Sequence, residues 1–297
     1  MSRRIPRLTG VHRVALVVHP TRDIARAVAL LQRWTADQGL ELVQLAAEGS
    51  RRQVAPPGTV VDCDVVVALG GDGTVLAALR AAAPTGTPVL GVACGSLGAL
   101  SAVTAKELGP ALDRFRAGDW SSRSLPALAV GCDAKEDWAV NDFVAVRRGP
   151  GQIAAAVTVG DELYVRIAGD GLIVATPQGS SAYSMAAGGP ILAAGTQAFV
   201  CTPMAMHGGS APPLVVPAEA TVTVDVEPGY AGFDIEIDGR PRAWQERRYR
   251  LDLHAERLSL VTFADTDRGL TSLRRRGIIT DSPRILARDA RAAVEKR

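Results

Sequence analysis

Four continuous apolar runs within the first 93 residues constrain the fold more than any other feature of the chain. They are "RVALVVH" (13–19), "LELVQL" (40–45), "DVVVALG" (64–70) and "PVLGVA" (88–93). Helical periodicity fills two of the gaps, at about residues 23–38 and 74–83. Runs of Val and Leu without alternating polar positions are buried on both faces, and the intervening helices supply the cover. The pattern predicts an open parallel α/β domain.

Near residue 125 the pattern changes. Short alternating runs follow one another with few helical stretches between them: 125–131, 154–160, 163–169, 172–177, 220–226, 233–239 and 257–263. Alternation of this kind marks half-buried antiparallel strands. The expected class is therefore α/β followed by all-β, with an α/β domain over 1–125 and a β-rich domain over 126–265. The rest, 266–297, is a charged, helix-prone tail expected to return to the N-terminal domain. At 297 residues the chain is long enough for two cores.

Composition narrows the classes of function. A net charge of +2 is too small to mark a nucleic-acid or membrane surface. No apolar stretch reaches the roughly 20 residues of a membrane helix, and "MSRRIPRLTG" lacks a signal-peptide core, so a cytoplasmic protein is expected. Cys63, Cys94, Cys132 and Cys201 are scattered without a CxxC pair, which suggests reduced, mostly buried thiols rather than zinc ligands or disulfides. No metal-ligating cluster is expected.

Chemistry concentrates where "VVALGGDGTVLAALR" (66–80) leaves a strand. Gly70, Gly71 and Gly73 allow a sharp turn with uncovered amides, and the following helix turns its positive end to the same spot. Such a nest attracts phosphate. Asp72 would be repelled there unless a metal intervenes or it takes a proton from an attacking hydroxyl, and both needs describe phosphoryl transfer. The alternative is a plain strand-to-helix turn with Asp72 as helix cap. Neither a Walker loop nor a Rossmann fingerprint occurs.

A second dense stretch, "GDGLIVATPQGSSAYSMAAGGPIL" (169–192), crowds small and hydroxyl residues together. With "GGDGT" (70–74) and "VNDFVAV" (140–146) it resembles the NAD kinase family, over a range running from about residue 17 to residue 273. The resemblance implies a kinase that moves the terminal phosphoryl group of ATP or polyphosphate, with Mg²⁺ or another divalent cation, onto the 2′-hydroxyl of the adenosine ribose of NAD. It implies that Asp72 contacts that hydroxyl as its base, and that Gly70, Gly71, Gly73 and Thr74 cradle the donor triphosphate. Asn141 and Asp142 would grip ribose hydroxyls. Ser181, Ala182 and Tyr183 would line the dinucleotide pocket, and Asp170 matches the aspartate that opens that motif. His207 and Asp238 match a family histidine and an Asp-Gly pair; by themselves they read as a loop histidine and a hairpin turn. The implied partners are NAD and ATP, with no nucleic acid and no membrane, in a homodimer or homotetramer.

The chain departs from the family at several points. "GVACGSLGALSA" (91–102) has Ala93 and Ala99 where the family has asparagine and an aromatic residue, and Gln178, Ser181 and Ala211 replace two threonines and an arginine. These changes reshape the adenine end of the pocket. Two other readings follow: a related kinase acting on a different hydroxyl acceptor, and a paralogue that binds the nucleotide without turnover.

Overall fold

The structure, a computed structural model, describes residues 11–46, 51–263 and 270–294. The first part of the chain forms β1 (Arg13–Val18), α1 (Ala25–Asp37), β2 (Glu41–Gln44), β3 (Val65–Gly70), α2 (Asp72–Ala82), β4 (Val89–Ala93), β5 (Val103–Thr104) and α3 (Leu108–Arg116). The strands run parallel in the spatial order β4-β3-β1-β2, with β5 beside β4. Alternate residues of each strand serve opposite faces. Val14, Leu16 and Val18 join Leu31 of α1 and Leu112 of α3 in one core, while Ala15 and Val17 join Ala78 and Leu79 of α2 in another. Both faces are covered, as the continuous apolar runs require.

The remainder of the compact unit, which extends to Ala264, is almost wholly β. It comprises β6 (Ser121–Cys132), β7 (Lys135–Ala139), β8 (Asp142–Arg147), β9 (Ile153–Val159), β10 (Glu162–Gly169) and β11 (Gly171–Ala175). A 3-10 turn (Gly179–Ser181) and the short α4 (Tyr183–Ala186) interrupt it before β12 (Ala198–Met204), β13 (Leu214–Pro217), β14 (Val222–Glu227), β15 (Phe233–Ile237), β16 (Arg240–Arg242) and β17 (Arg248–Thr262). Six of these strands make an antiparallel sheet in the order β13-β12-β11-β8-β15-β16. Phe143, Phe199 and Ile235 of that sheet pack against Val157, Val224 and Tyr249 of the facing one.

The facing sheet is where the structure goes beyond the sequence reading. β17 pairs with β14 and β6 antiparallel and meets β4 in parallel at Leu260 and Val89, so one 11-stranded sheet runs through both halves. The register of β17 against β6 shifts between His254 and Leu258. Of the cysteines, Cys63, Cys132 and Cys201 are buried and Cys94 is half-buried; all four are free thiols. No helix among the described residues is long and apolar enough to cross a membrane. Residues 265–297 form a separate unit containing α5 (Leu270–Arg275) and α6 (Pro283–Val294).

Candidate active site

The connections after β1 and β3 leave in opposite directions, one toward β2 and the other toward β4, and an open parallel sheet binds ligands at such a switch point. A cleft of about 340 Å³ opens there, lined by His19, Arg22, Gly71, Asp72, Gly73, Thr74 and Arg240 among others. Helix α2 starts at Asp72, with Gly71 extended before it and no side chain capping its end. Asp72 is therefore not the helix cap. Gly70 is required because a Cβ there would overlap the side chain of Thr74, which is itself buried.

The Asp72 carboxylate is held by the stretch that follows β4. It accepts hydrogen bonds from the amides of Ala99 (2.9 Å) and Leu100 (3.1 Å), and a Cβ on Gly98 would overlap it. An ionised carboxylate has about four lone-pair sites, so two amides fix its orientation and leave capacity for a further donor. The stretch 91–102 thus serves the site through its backbone, which sequence reading alone did not anticipate.

Two more residues of this cleft escaped the sequence reading. His19 Nδ1 accepts the amides of Thr21 (3.2 Å) and Arg22 (3.0 Å). Burial, helped by the charges of Arg22 and Arg52, holds its pKa below the ordinary histidine range, so the ring is neutral with its proton on Nε2. Arg22 lies between two glycine turns: its Nη1 would stand 3.5 Å from a Cβ on Gly71 and 2.8 Å from one on Gly95. Its guanidinium makes no hydrogen bond to the protein among the described residues. Isolated basic residues in a first βα loop carry no sequence signal, and only the fold brings these two to the glycine loop.

Asn141 and Asp142 sit at the start of β8, where the hydroxyl-rich segment packs on them. Thr176 Oγ1 donates to the Val140 carbonyl (2.7 Å), the Thr176 amide donates to the Asn141 carbonyl (2.9 Å), and a Cβ on Gly179 would overlap that same carbonyl. Ser181, Ala182 and Tyr183 follow within four residues, and Tyr183 leaves 45 % of its surface exposed as an open aromatic face. The structure thus gathers Asn141, Asp142 and the 176–183 segment, which the chain separates by some 35 residues.

Asp142 is 4 % exposed. Burial, with the like charges of Asp238 and Glu236, raises its pKa to about 7. Asp238 proves to be more than a turn residue. Its φ of 51° followed by Gly239 at 69° makes the tight left-handed hairpin turn, yet its carboxylate accepts the amides of Val140, Asn141 and Asp142.

Asp170 lies elsewhere. Antiparallel pairing sets Ala175 opposite Asp142 and Gly171 opposite Val146, so Asp170 is at the far end of β11, roughly 17 Å along the strand from Ala175. Its carboxylate is ion-paired with Arg147 at 2.6 Å. His207 hydrogen-bonds Gln152 through Nδ1 (2.7 Å), and its amide donates to the Ala168 carbonyl in that same distant region.

A glycine loop and carboxylate at the switch point of a parallel sheet, joined to a β-sandwich that presents a second polar loop, make a site of the class that takes phosphorylated ligands. Comparison with known proteins narrows this. The family model described as the ATP-NAD kinase N-terminal domain matches residues 50–120, and that of the ATP-NAD kinase C-terminal domain matches residues 140–255. The chain is 40 % identical to the NAD kinase of Heliobacterium modesticaldum over 184 residues, covering 60 % of this chain and 65 % of that protein. It is 33 % identical to the NAD kinase of Chloroflexus aurantiacus over 237 residues, covering 77 % of this chain and 84 % of that one. In fold it is similar to yeast NADH kinase complexed with NADH (TM-score 0.77, 21 % identity, 93 % of this chain and 90 % of that one). It is also similar to an NAD kinase from Archaeoglobus fulgidus in complex with ATP (TM-score 0.68, 22 % identity, 89 % and 96 %). The chain belongs to the NAD kinase family.

Proposed function

We propose that the chain transfers the terminal phosphoryl group of ATP to the 2′-hydroxyl of the adenosine ribose of NAD, forming NADP, with Asp72 as the group that orients that hydroxyl and receives its proton. The observation that carries the reading is the placement of the Asp72 carboxylate: two amides hold it, and it lines a cleft together with Arg22 and Arg240. The uncapped start of α2, the guanidinium groups and the Nε2–H of His19 favour a polyanion there, and Gly70, Gly71, Gly73 and Thr74 shape its cradle. Asn141 and Asp142 hold ribose hydroxyls, while Ser181, Ala182 and Tyr183 wall the dinucleotide. Phosphoryl transfer needs little covalent help from the protein; most of its acceleration comes from positioning and charge neutralisation.

No group of three His, Cys, Asp or Glu side chains stands ready for a metal ion among the described residues. A divalent cation enters as part of the substrate, the magnesium complex of ATP, where it neutralises charge on the phosphates. ATP is preferred to polyphosphate because both matching family models are described as ATP-NAD kinase domains. Domains over 1–125 and 126–265 are proposed as the functional division, the first taking the donor and the second the dinucleotide. Assembly into a homodimer or homotetramer through the β-rich half is supported by edge strands β10 and β13, which expose Leu163 and Val215. A cytoplasmic site of action accords with the scattered free thiols.

The test is to incubate the purified protein with Mg²⁺ and NAD, with ATP in one arm and polyphosphate in another, and to measure NADP. Formation of NADP in the ATP arm is expected. Phosphate transfer to other hydroxyl compounds but not to NAD would replace the acceptor, and NAD binding without turnover under either donor would leave a binder only.

A further inference from the structure

Helix α2 begins at Asp72 and reaches Arg80 eight residues later, about 12 Å along its axis. The Arg80 side chain is 9 % exposed; its Nη1 lies 3.6 Å from Asp238 Oδ2 and donates to the Ile237 carbonyl at 3.1 Å. The Asp238 side chain is 1 % exposed. Its Oδ1 accepts the amides of Asn141 (2.7 Å) and Asp142 (3.2 Å), and its Oδ2 accepts that of Val140 (3.2 Å). The Asp238 amide in turn donates to the Asp142 carbonyl at 3.0 Å. Two residues further on, Arg240 lines the cleft that contains Asp72.

A hairpin needs none of this. Asp-Gly turns form from local backbone preference with the aspartate in water, whereas here the aspartate is fully enclosed. Burial raises the Asp238 carboxyl above its ordinary range, and the Arg80 guanidinium and three amides oppose that shift. A buried ion pair is a weak way to stabilise a fold; its better-attested use is to fix one arrangement against others. The arrangement in question is visible: one carboxylate ties three successive amides of the 140–142 loop to the helix that carries Asp72.

The geometry points to a positioning role for the Arg80–Asp238 pair: it sets the register of the Asn141–Asp142 loop against helix α2, so that a ribose held by the loop meets the Asp72 carboxylate. The inference rests on the proposed functions of Asp72, Asn141 and Asp142. Neither Arg80 nor Asp238 touches the reacting atoms. Their effect is on where the acceptor sits, and a misplacement of about 1 Å is enough to cost a hundredfold in rate.

The test is a double-mutant cycle of Arg80→Met, Asp238→Asn and the double variant, with Arg80→Lys as the conservative change. Steady-state kinetics would be run against NAD and ATP separately, with calorimetric NAD titration and thermal unfolding alongside. Each single variant is expected to lose roughly tenfold to a hundredfold in kcat/KM for NAD, with KM for ATP unchanged. The double variant should be no worse than the poorer single one, and Arg80→Lys should recover part of the loss. A purely structural pair would instead lower the unfolding temperature while leaving kcat/KM of the folded fraction intact. That result, additive effects, or an equal rise in KM for both substrates would overturn the inference. If Asp238→Asn does not fold, the two Arg80 variants decide the matter through the NAD-against-ATP comparison. If the wild-type protein forms no NADP, the functional reading is what fails; weakened NAD binding in the variants would still support the pair's role, and unchanged binding would overturn it.

Discussion

The amide of Ala99 donates a 2.9 Å hydrogen bond to the carboxylate of Asp72, and the glycine just before it, Gly98, leaves no room for a side chain there. A side chain at position 98 would push the carboxylate out of the orientation that two amides impose. Gly98→Ala is therefore expected to lower kcat for NADP formation by roughly tenfold to a hundredfold with a smaller effect on KM. Steady-state kinetics beside a thermal unfolding curve would check this; unchanged kcat in a folded variant would show that the amide clamp does not set the rate.

Arg22 stands between Gly71 and Gly95 with its guanidinium unpartnered by protein among the described residues. Charge-assisted hydrogen bonds contribute about 1.5–3 kcal/mol, and each 1.4 kcal/mol corresponds to about tenfold in binding. Arg22→Ala should raise KM for ATP by about tenfold or more and leave NAD affinity alone. Equal effects on both substrates would place the arginine outside the donor cleft.

Asp142 gives a pH dependence with a definite sign. An ordinary aspartate ionises near pH 4, whereas burial and the charges of Asp238 and Glu236 make this one hold its proton until about pH 7. The folded state binds that proton more tightly than the unfolded chain does. The stability it confers is full below about pH 4 and is lost as the pH rises through about 7. Asp142→Asn removes the titration. Measured without ligand by denaturant unfolding, the variant should gain stability relative to the wild type on going from pH 5 to pH 8. A stability difference independent of pH would refute the raised pKa.

Gly179 touches the Asn141 backbone so closely that a Cβ would overlap its carbonyl. Gly179→Ala should separate the 176–183 segment from the Asn141–Asp142 loop and weaken NAD binding by titration calorimetry, with ATP binding retained. Unchanged NAD affinity would mean that the two segments do not act on one ligand.

The parallel half was legible because its strands, buried on both faces, are continuous apolar runs that no surface element shares. The antiparallel half was legible through alternation. What the pattern could not give was the sharing of β17 between the halves, since pairing partners are set by tertiary packing rather than by local periodicity. The glycine loop could be read because glycines beside a lone aspartate signal a special backbone. It could not reveal that the 98–100 backbone grips Asp72, because amide donors leave no mark on residue identity. Asp238 was half legible: Asp-Gly gives the turn, while the burial that makes it a three-amide anchor depends on Arg80, more than 150 residues away in the chain. Asp170 shows the reverse, a motif residue that the β11 register carries away from Asp142.

The most direct test of the central claim is the rate of NADP formation by Asp72→Asn, a substitution that keeps the size of the side chain and, through its one carbonyl oxygen, the ability to accept one of the two amides of Ala99 and Leu100. Loss of general-base assistance removes about two to four orders of magnitude, so kcat is expected to fall at least a hundredfold while the protein stays folded and keeps its NAD affinity. A folded Asp72→Asn protein that makes NADP at the wild-type rate would contradict the account.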